Sequence, residues 1–324
     1  MNILINASAA HEGGALTILN TYLQYKCKEK STQDIYYVLS PVEPTIQAPQ
    51  IYWIRKSTLG YKTYLFTLFF SYYYYLYYGC EKCISFNNFN FIFPSNNKFT
   101  YFHNLLIING YGKFRLLRFT LKYLNQLNSN FIFQTPYVYK QFESVIGKVR
   151  NHIISWPGVA SISVNDYDID KYFDYRINNI IVPISNIYQK HKNFDLLLDI
   201  ASNMNDVNFI IPAENNVFSA KNLTFVGSKK RDELLNLINH SDGVLITSKF
   251  ETVCLPIFES LFLKKNVYVF DSDYVSGLLE LFGNIEGLFL YKDINDFKSK
   301  LKENVRFRST KTLNRNIFEG KWDF

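Results

Sequence analysis

Cysteine is scarce. Four residues in a chain of 324 cannot make the disulfide framework of a small secreted domain. Two of them, Cys80 and Cys83, form a lone C-x-x-C, but no further zinc ligands stand near them in the sequence. The pair therefore reads as reduced thiols rather than a metal or redox centre. A basic leader is also missing: MNILINASAA reads as a strand, so no secretory signal is expected. No G-x-G-x-x-G follows that strand, which argues against a nicotinamide-dependent oxidoreductase. Charged residues make up only 19% of the chain against 48% hydrophobic, a balance that excludes disorder and permits a large core. The length suits one large domain or two ordinary ones.

Acidic residues are short in one half only. Residues 1–150 hold 15 Lys and Arg against 6 Asp and Glu, whereas residues 151–324 hold 20 against 22. A basic half favours an anionic partner such as phosphate groups or a membrane surface. Nucleic acid fits poorly, because no basic stripe with interleaved stacking residues is present. Charge is absent altogether from residues 63–80, TYLFTLFFSYYYYLYYGC. That run is barely long enough to span a bilayer, and seven of its 18 residues are tyrosines whose hydroxyls would need partners in hydrocarbon. A spanning helix is rejected. An aromatic helix packed within the domain is expected, with a helix lying in the headgroup region as the alternative.

What is present is an alternation. In the second half, NNIIVPIS, VNFIIPA, LTFVG, GVLITS and NVYVFDS read as strands, separated by the helical KNFDLLLDIASNM, KRDELLNLINHSD, PIFESLFLKK and YVSGLLELFG. Near-continuous apolar strands alternating with helices predict a parallel sheet covered on both faces. The first half is similar: NILINAS, then a loop with Gly13 and Gly14, a helix, the strand-like DIYYVLS and QIYWIR, the aromatic run, and strands FTYFHNL and NFIFQTP, with HIISWPGV closing the half. The polar stretch from about residue 160 to 178 reads as a linker. The expected fold class is α/β, two Rossmann-like doubly wound domains facing a cleft. The N-terminal one spans 1–165 and the C-terminal one 166–324, with the last helix returning to the first.

Ligands of such sheets bind beyond the carboxyl ends of the strands. There stands SKFETVCLPIFESLF, with seven residues between Glu251 and Glu259 and Pro256 in the gap. Proline suits the first position of a helix. Glu251 is thus expected in a loop and Glu259 in the first helical turn. The N–H groups of Val253, Cys254 and Leu255 lie at the helix start, which favours an anion. Two acceptors for sugar hydroxyls beside such a helix end suit a sugar phosphate or nucleotide.

SKFETVCLPIFESLFLKKNVYVFDS resembles the donor-site motif of glycosyltransferase family 4, retaining enzymes of the GT-B fold. Further segments resemble that family in the same order: NASAAHEGGALTILNTYL, YFHNLL, FIFQTPYVYKQF, SWPGV and PISNIYQKHKNFDLLLDI. The resemblance implies a transferase that moves a sugar from a nucleotide-sugar to a saccharide acceptor without a metal or other cofactor. It implies that Glu251 contacts the transferred sugar, that Glu259 holds the ribose, and that Lys192 pairs with the diphosphate, with Lys190 nearby. It also implies that Gly13 and Gly14 bring backbone N–H groups to the ligand, and that His103 hydrogen-bonds the donor sugar. Two departures stand out: Ile187 where the family has an arginine, and Thr252 and Cys254 where it often has glycines. A GT-B protein that binds nucleotide-sugar without turnover is the alternative they suggest. With the basic, tyrosine-rich N-terminal half, the acceptor implied is a lipid-linked saccharide at the inner face of the cytoplasmic membrane, in capsule or O-antigen synthesis. The expected location is cytoplasmic, peripheral to that membrane.

Overall fold

The computed structural model describes residues 1–29, 33–112, 114–160, 162, 169–214, 218, 221–304 and 315–324. The chain forms two compact units, Met1–Ala160 with Glu319–Phe324, and Ser161–Phe318.

The first unit is built on β1 (Asn2–Asn6), β2 (Ile35–Ser40), β3 (Ile51–Arg55), β4 (Lys82–Ser85), β5 (Lys98–Phe102), β6 (Asn130–Phe133) and β7 (Asn151–Ile154). All pair in parallel, in the order β3-β2-β1-β4-β5-β6-β7. Side chains of a strand alternate between faces, and β1 shows both faces covered. Ile3 and Ile5 pack with Ile18, Leu19, Tyr22 and Leu23 of the helix Gly13–Lys28. Leu4 packs on the other side with Cys83, Phe91 and the tyrosines of residues 72–78. Those tyrosines belong to the uncharged run, which folds as an α-helix (Tyr61–Leu65), a π-helical turn (Phe66–Phe70) and a second α-helix (Ser71–Tyr77). Among the described residues no helix is long and apolar enough to cross a membrane. Cys80 and Cys83 are buried thiols in this apolar layer, and burial pushes Cys80 up to about 12.

The piece of chain that closes the first unit is an extended tail, Glu319–Phe324, without helix. Trp322 is fully buried among Tyr22 and Tyr101, with ring centroids 5.5 and 5.6 Å away. The Lys321 N–H donates to the Trp156 carbonyl at 2.8 Å.

The second unit repeats the plan with β8 (Asn178–Ile181), β9 (Val207–Ile211), β10 (Leu223–Phe225), β11 (Gly243–Ile246), β12 (Asn266–Phe270) and β13 (Leu288–Tyr291). The order is β10-β9-β8-β11-β12-β13, again all parallel. One face is covered by helices Phe194–Ser202 and Ile294–Asn304; helix Leu255–Phe262 packs on β11 and β12. In each sheet the strand order reverses once, between β1 and β4 and between β8 and β11. These topological switch points are where a doubly wound sheet opens a crevice.

Candidate active site

The switch point of the second sheet collects most of the expected residues. After β8 the chain makes a 3-10 turn, Lys190–Lys192, and then Asn193 in the left-handed region (φ 54°) before helix Phe194–Ser202 begins. Lys192 therefore closes a turn rather than opening a helix as the spacing suggests. The turn is tied to the neighbouring loop by two bonds. Thr247 Oγ1 donates to the Lys192 carbonyl at 2.6 Å, and the Lys249 N–H donates to the His191 carbonyl at 2.9 Å. Held this way, Lys192 Nζ donates to Glu251 Oε1 at 2.6 Å. Burial works against the Lys192 ammonium, and Glu251, by its charge and its hydrogen bond, together with Cys254 more than offsets it, so its pKa stands above the ordinary lysine value. His191 is shifted down, chiefly by burial, with Lys192 adding to the effect and Glu251 opposing it.

Glu251 lies in the loop between β11 and helix Leu255–Phe262, as expected. The helix starts at Leu255, so Pro256 is its second residue and Glu259 its fifth. Glu259 thus sits one residue further in than the spacing put it, just past the first turn. The start is sharp because Cys254 takes the left-handed conformation, φ 57°, which costs a residue with a Cβ roughly 1–2 kcal/mol. This is the position where the family often has glycine. Val253 and Cys254 are buried, and no described residue accepts a hydrogen bond from the N–H of Cys254 or Leu255. Burial, reinforced by Glu251, pushes the Cys254 thiol far above its usual pKa, so it is a neutral spacer and no nucleophile.

Glu259 is 5% exposed and is paired with a residue that sequence reasoning missed. Arg231 Nε and Nη2 both reach Glu259 Oε1, at 2.8 Å. Arg231 opens helix Arg231–His240, whose start is set by Glu233 Oε2 accepting from the Lys230 N–H at 2.9 Å. Nothing in the spacing marks this pair, since the partners are 28 positions apart. The clue available was a buried carboxylate, which requires a cation. Ile187, by contrast, is 7% exposed within the apolar core of this unit and cannot belong to a charged site. Lys190 is exposed beside Lys192.

The remaining expected residues belong to the first unit. Gly13 (φ 62°) and Gly14 form the first turn of helix Gly13–Lys28, after β1. A Cβ at Gly13 would meet nothing within 4 Å, so open space lies over that turn. His103 follows β5, and its N–H donates to Asn88 Oδ1 at 2.8 Å. Its Nδ1 is buried without a partner among the described residues, although the residue as a whole is partly exposed. Burial lowers its pKa to about 4, so the imidazole is neutral at physiological pH. Beneath these loops lies a network that no motif announced. Asn87 Nδ2 donates to Asn6 Oδ1 at 3.1 Å, Ser8 Oγ at 3.1 Å and Thr67 Oγ1 at 2.9 Å, all buried.

The sequence matches no family model, and no curated protein matches it. Solved structures do. Sucrose-phosphate synthase from Thermosynechococcus elongatus is similar over 94% of this chain and 89% of its own, at 12% identity and a TM-score of 0.65. WaaG, a glycosyltransferase involved in lipopolysaccharide biosynthesis, is similar over 95% and 91%, at 10% identity and a TM-score of 0.61. HepE from Anabaena, solved in complex with UDP-glucose, is similar over 94% and 90%, at 14% identity and a TM-score of 0.61. The chain has the GT-B fold of these glycosyltransferases.

Proposed function

We propose that the protein is a glycosyltransferase that takes a sugar from a nucleotide-sugar donor held at the β8/β11 switch point. The observation that carries this reading is the Lys192–Glu251 ion pair at that reversal, beside a helix start whose N–H groups are available to an anion. In the reaction the bond between the sugar C1 and the diphosphate oxygen breaks, and its electrons stay on that oxygen. An acceptor hydroxyl bonds to C1, and its proton leaves with the diphosphate. Charge builds on the leaving group, so a fixed cation and oriented N–H groups lower the barrier. Lys192 supplies the first, with Lys190 close by, and Cys254 and Leu255 supply the second. Glu251 Oε2 accepts no hydrogen bond from the described residues, which leaves it for a sugar hydroxyl. Glu259 takes the ribose. These roles need no metal and no other cofactor. Retention at C1 follows from the family resemblance, as do the parts of Gly13, Gly14 and His103 as donor contacts. The solved neighbour holding UDP-glucose supports a nucleotide-sugar as co-substrate.

Release of nucleoside diphosphate from a panel of nucleotide-sugars tests this reading. Turnover that falls in Glu251→Gln supports it. Tight binding without turnover across acceptors would favour the non-catalytic alternative, for which the buried Ile187 in place of the family's arginine and the strained Cys254 are the specific observations.

The acceptor we assign is a lipid-linked saccharide, in surface-polysaccharide synthesis such as capsule or O-antigen, and the partner surface an anionic bilayer. The support lies in the first unit. Phe70, Tyr73 and Tyr77 are 60–67% exposed on the outer side of the aromatic helix. Leu116, Phe119 and Tyr123 are exposed on helix Phe114–Tyr123, as are Arg115 and Lys122. The two helices touch through Thr120 Oγ1 and Tyr64 Oη, 2.9 Å apart. Exposed amphipathic rings rimmed by cations suit a headgroup layer. Flotation with neutral and anionic vesicles tests this assignment. Salt-sensitive binding to anionic vesicles alone is expected, weakened about tenfold by Phe70→Ser with Tyr73→Ser. Self-association through the same face, without vesicle binding, would overturn it.

A further inference from the structure

We propose that Arg231 is a positioning residue that makes the donor site select ribose over deoxyribose. The inference rests on the reading of Glu259 as the ribose contact. Both guanidinium nitrogens, Nε and Nη2, converge on one carboxylate oxygen, Glu259 Oε1, at 2.8 Å. That oxygen's acceptor capacity is thereby used. Oε2 accepts nothing from the described residues, so the hydroxyls of a nucleoside are left with Oε2 alone.

Three features make Arg231 more than a counter-ion. Glu259 is nearly fully buried, and a carboxylate in that setting swings toward solvent unless a cation holds it. The fixed fork of a guanidinium also sets the direction of the carboxylate, which a lysine ammonium on a flexible stem does not. Finally, Arg231 is the first residue of helix Arg231–His240, whose first turn is held by the Glu233 cap. Its Cα is therefore anchored while its side chain spans to a second helix.

The pairing also has a consequence for the diphosphate. Arg231 pairs with Glu259, and the position of the family arginine is the buried Ile187. The leaving group is then served by Lys192, Lys190 and the helix start, and Arg231 acts on the nucleoside end.

Calorimetric titration of the full chain with UDP, ADP and GDP, each against its 2′-deoxy counterpart, tests this. The wild type is expected to prefer the ribose form of the diphosphate it binds by about tenfold, the size of one hydrogen bond to a charged acceptor. In Arg231→Met the ribose form is expected to weaken to the level of the deoxy form, while deoxy binding stays as in the wild type. Arg231→Lys should recover part of the preference, and melting curves check that each variant folds. Equal weakening of both forms, or an unchanged preference in a folded Arg231→Met, would overturn the proposal while leaving the ribose reading of Glu259 intact. A wild type with no preference, unaltered by Glu259→Gln, would overturn both.

Discussion

The two sheets share one plan and spend it differently. Each reverses its strand order once, and each gathers polar side chains at that reversal. In the second unit the gathered groups are ionised and paired: Lys192 with Glu251, and Arg231 with Glu259. In the first they are neutral: Asn6, Ser8, Thr67 and Asn87 bond to one another under the loops. Topology makes the crevice, and chemistry decides what it accepts. A crevice lined by held charges answers to a ligand whose charge changes during reaction. One floored by amides and hydroxyls is rigid and answers to shape.

The contrast can be broken from either side. The largest effect is expected at Glu251: Glu251→Gln should lower turnover by about a thousandfold, with nucleoside diphosphate affinity near that of the wild type. Lys192→Met should cost about a hundredfold in turnover and also weaken diphosphate binding, because the proposed site sets its cation against the leaving group. Asn87→Ala should destabilise the first unit by about 2–3 kcal/mol through unpaired buried acceptors and hydroxyls. Urea melting would read that loss. The smallest effect is expected at His103. Its folded pKa is lowered to about 4 from 6.5, so between those values the unfolded chain binds the extra proton. Stability thus rises with pH across that window and is lost as pH falls. Partial exposure limits the effect to about 1–2 kcal/mol, read as a flatter pH 4.5–7 stability profile in His103→Gln than in the wild type.

The parallel strands of the second unit were legible because each is an apolar run between helices. β4 was not, since Lys82–Ser85 follows the tyrosine run directly and is too short to show a period of its own. β13 and the helix Ile294–Asn304 escaped in the same way, near the end of the chain. At the site, Glu251 and its loop could be read from Pro256, but the register of Glu259 depended on Cys254 adopting a left-handed backbone. Lys192 was placed by resemblance, and its pairing with Glu251 across 59 positions is set by the meeting of β8 with β11. Arg231 was beyond reach for the same reason, since the order of strands, and no spacing, brings it to Glu259.

Amide hydrogen exchange of the full chain, with and without the nucleotide-sugar it binds in a screen, tests the location of the donor most directly. The expected result is protection gained at residues 190–192 and 251–259, with the core strands of the second unit unchanged. Binding without protection at those residues, or with protection elsewhere in their place, would contradict a donor site at the β8/β11 switch point.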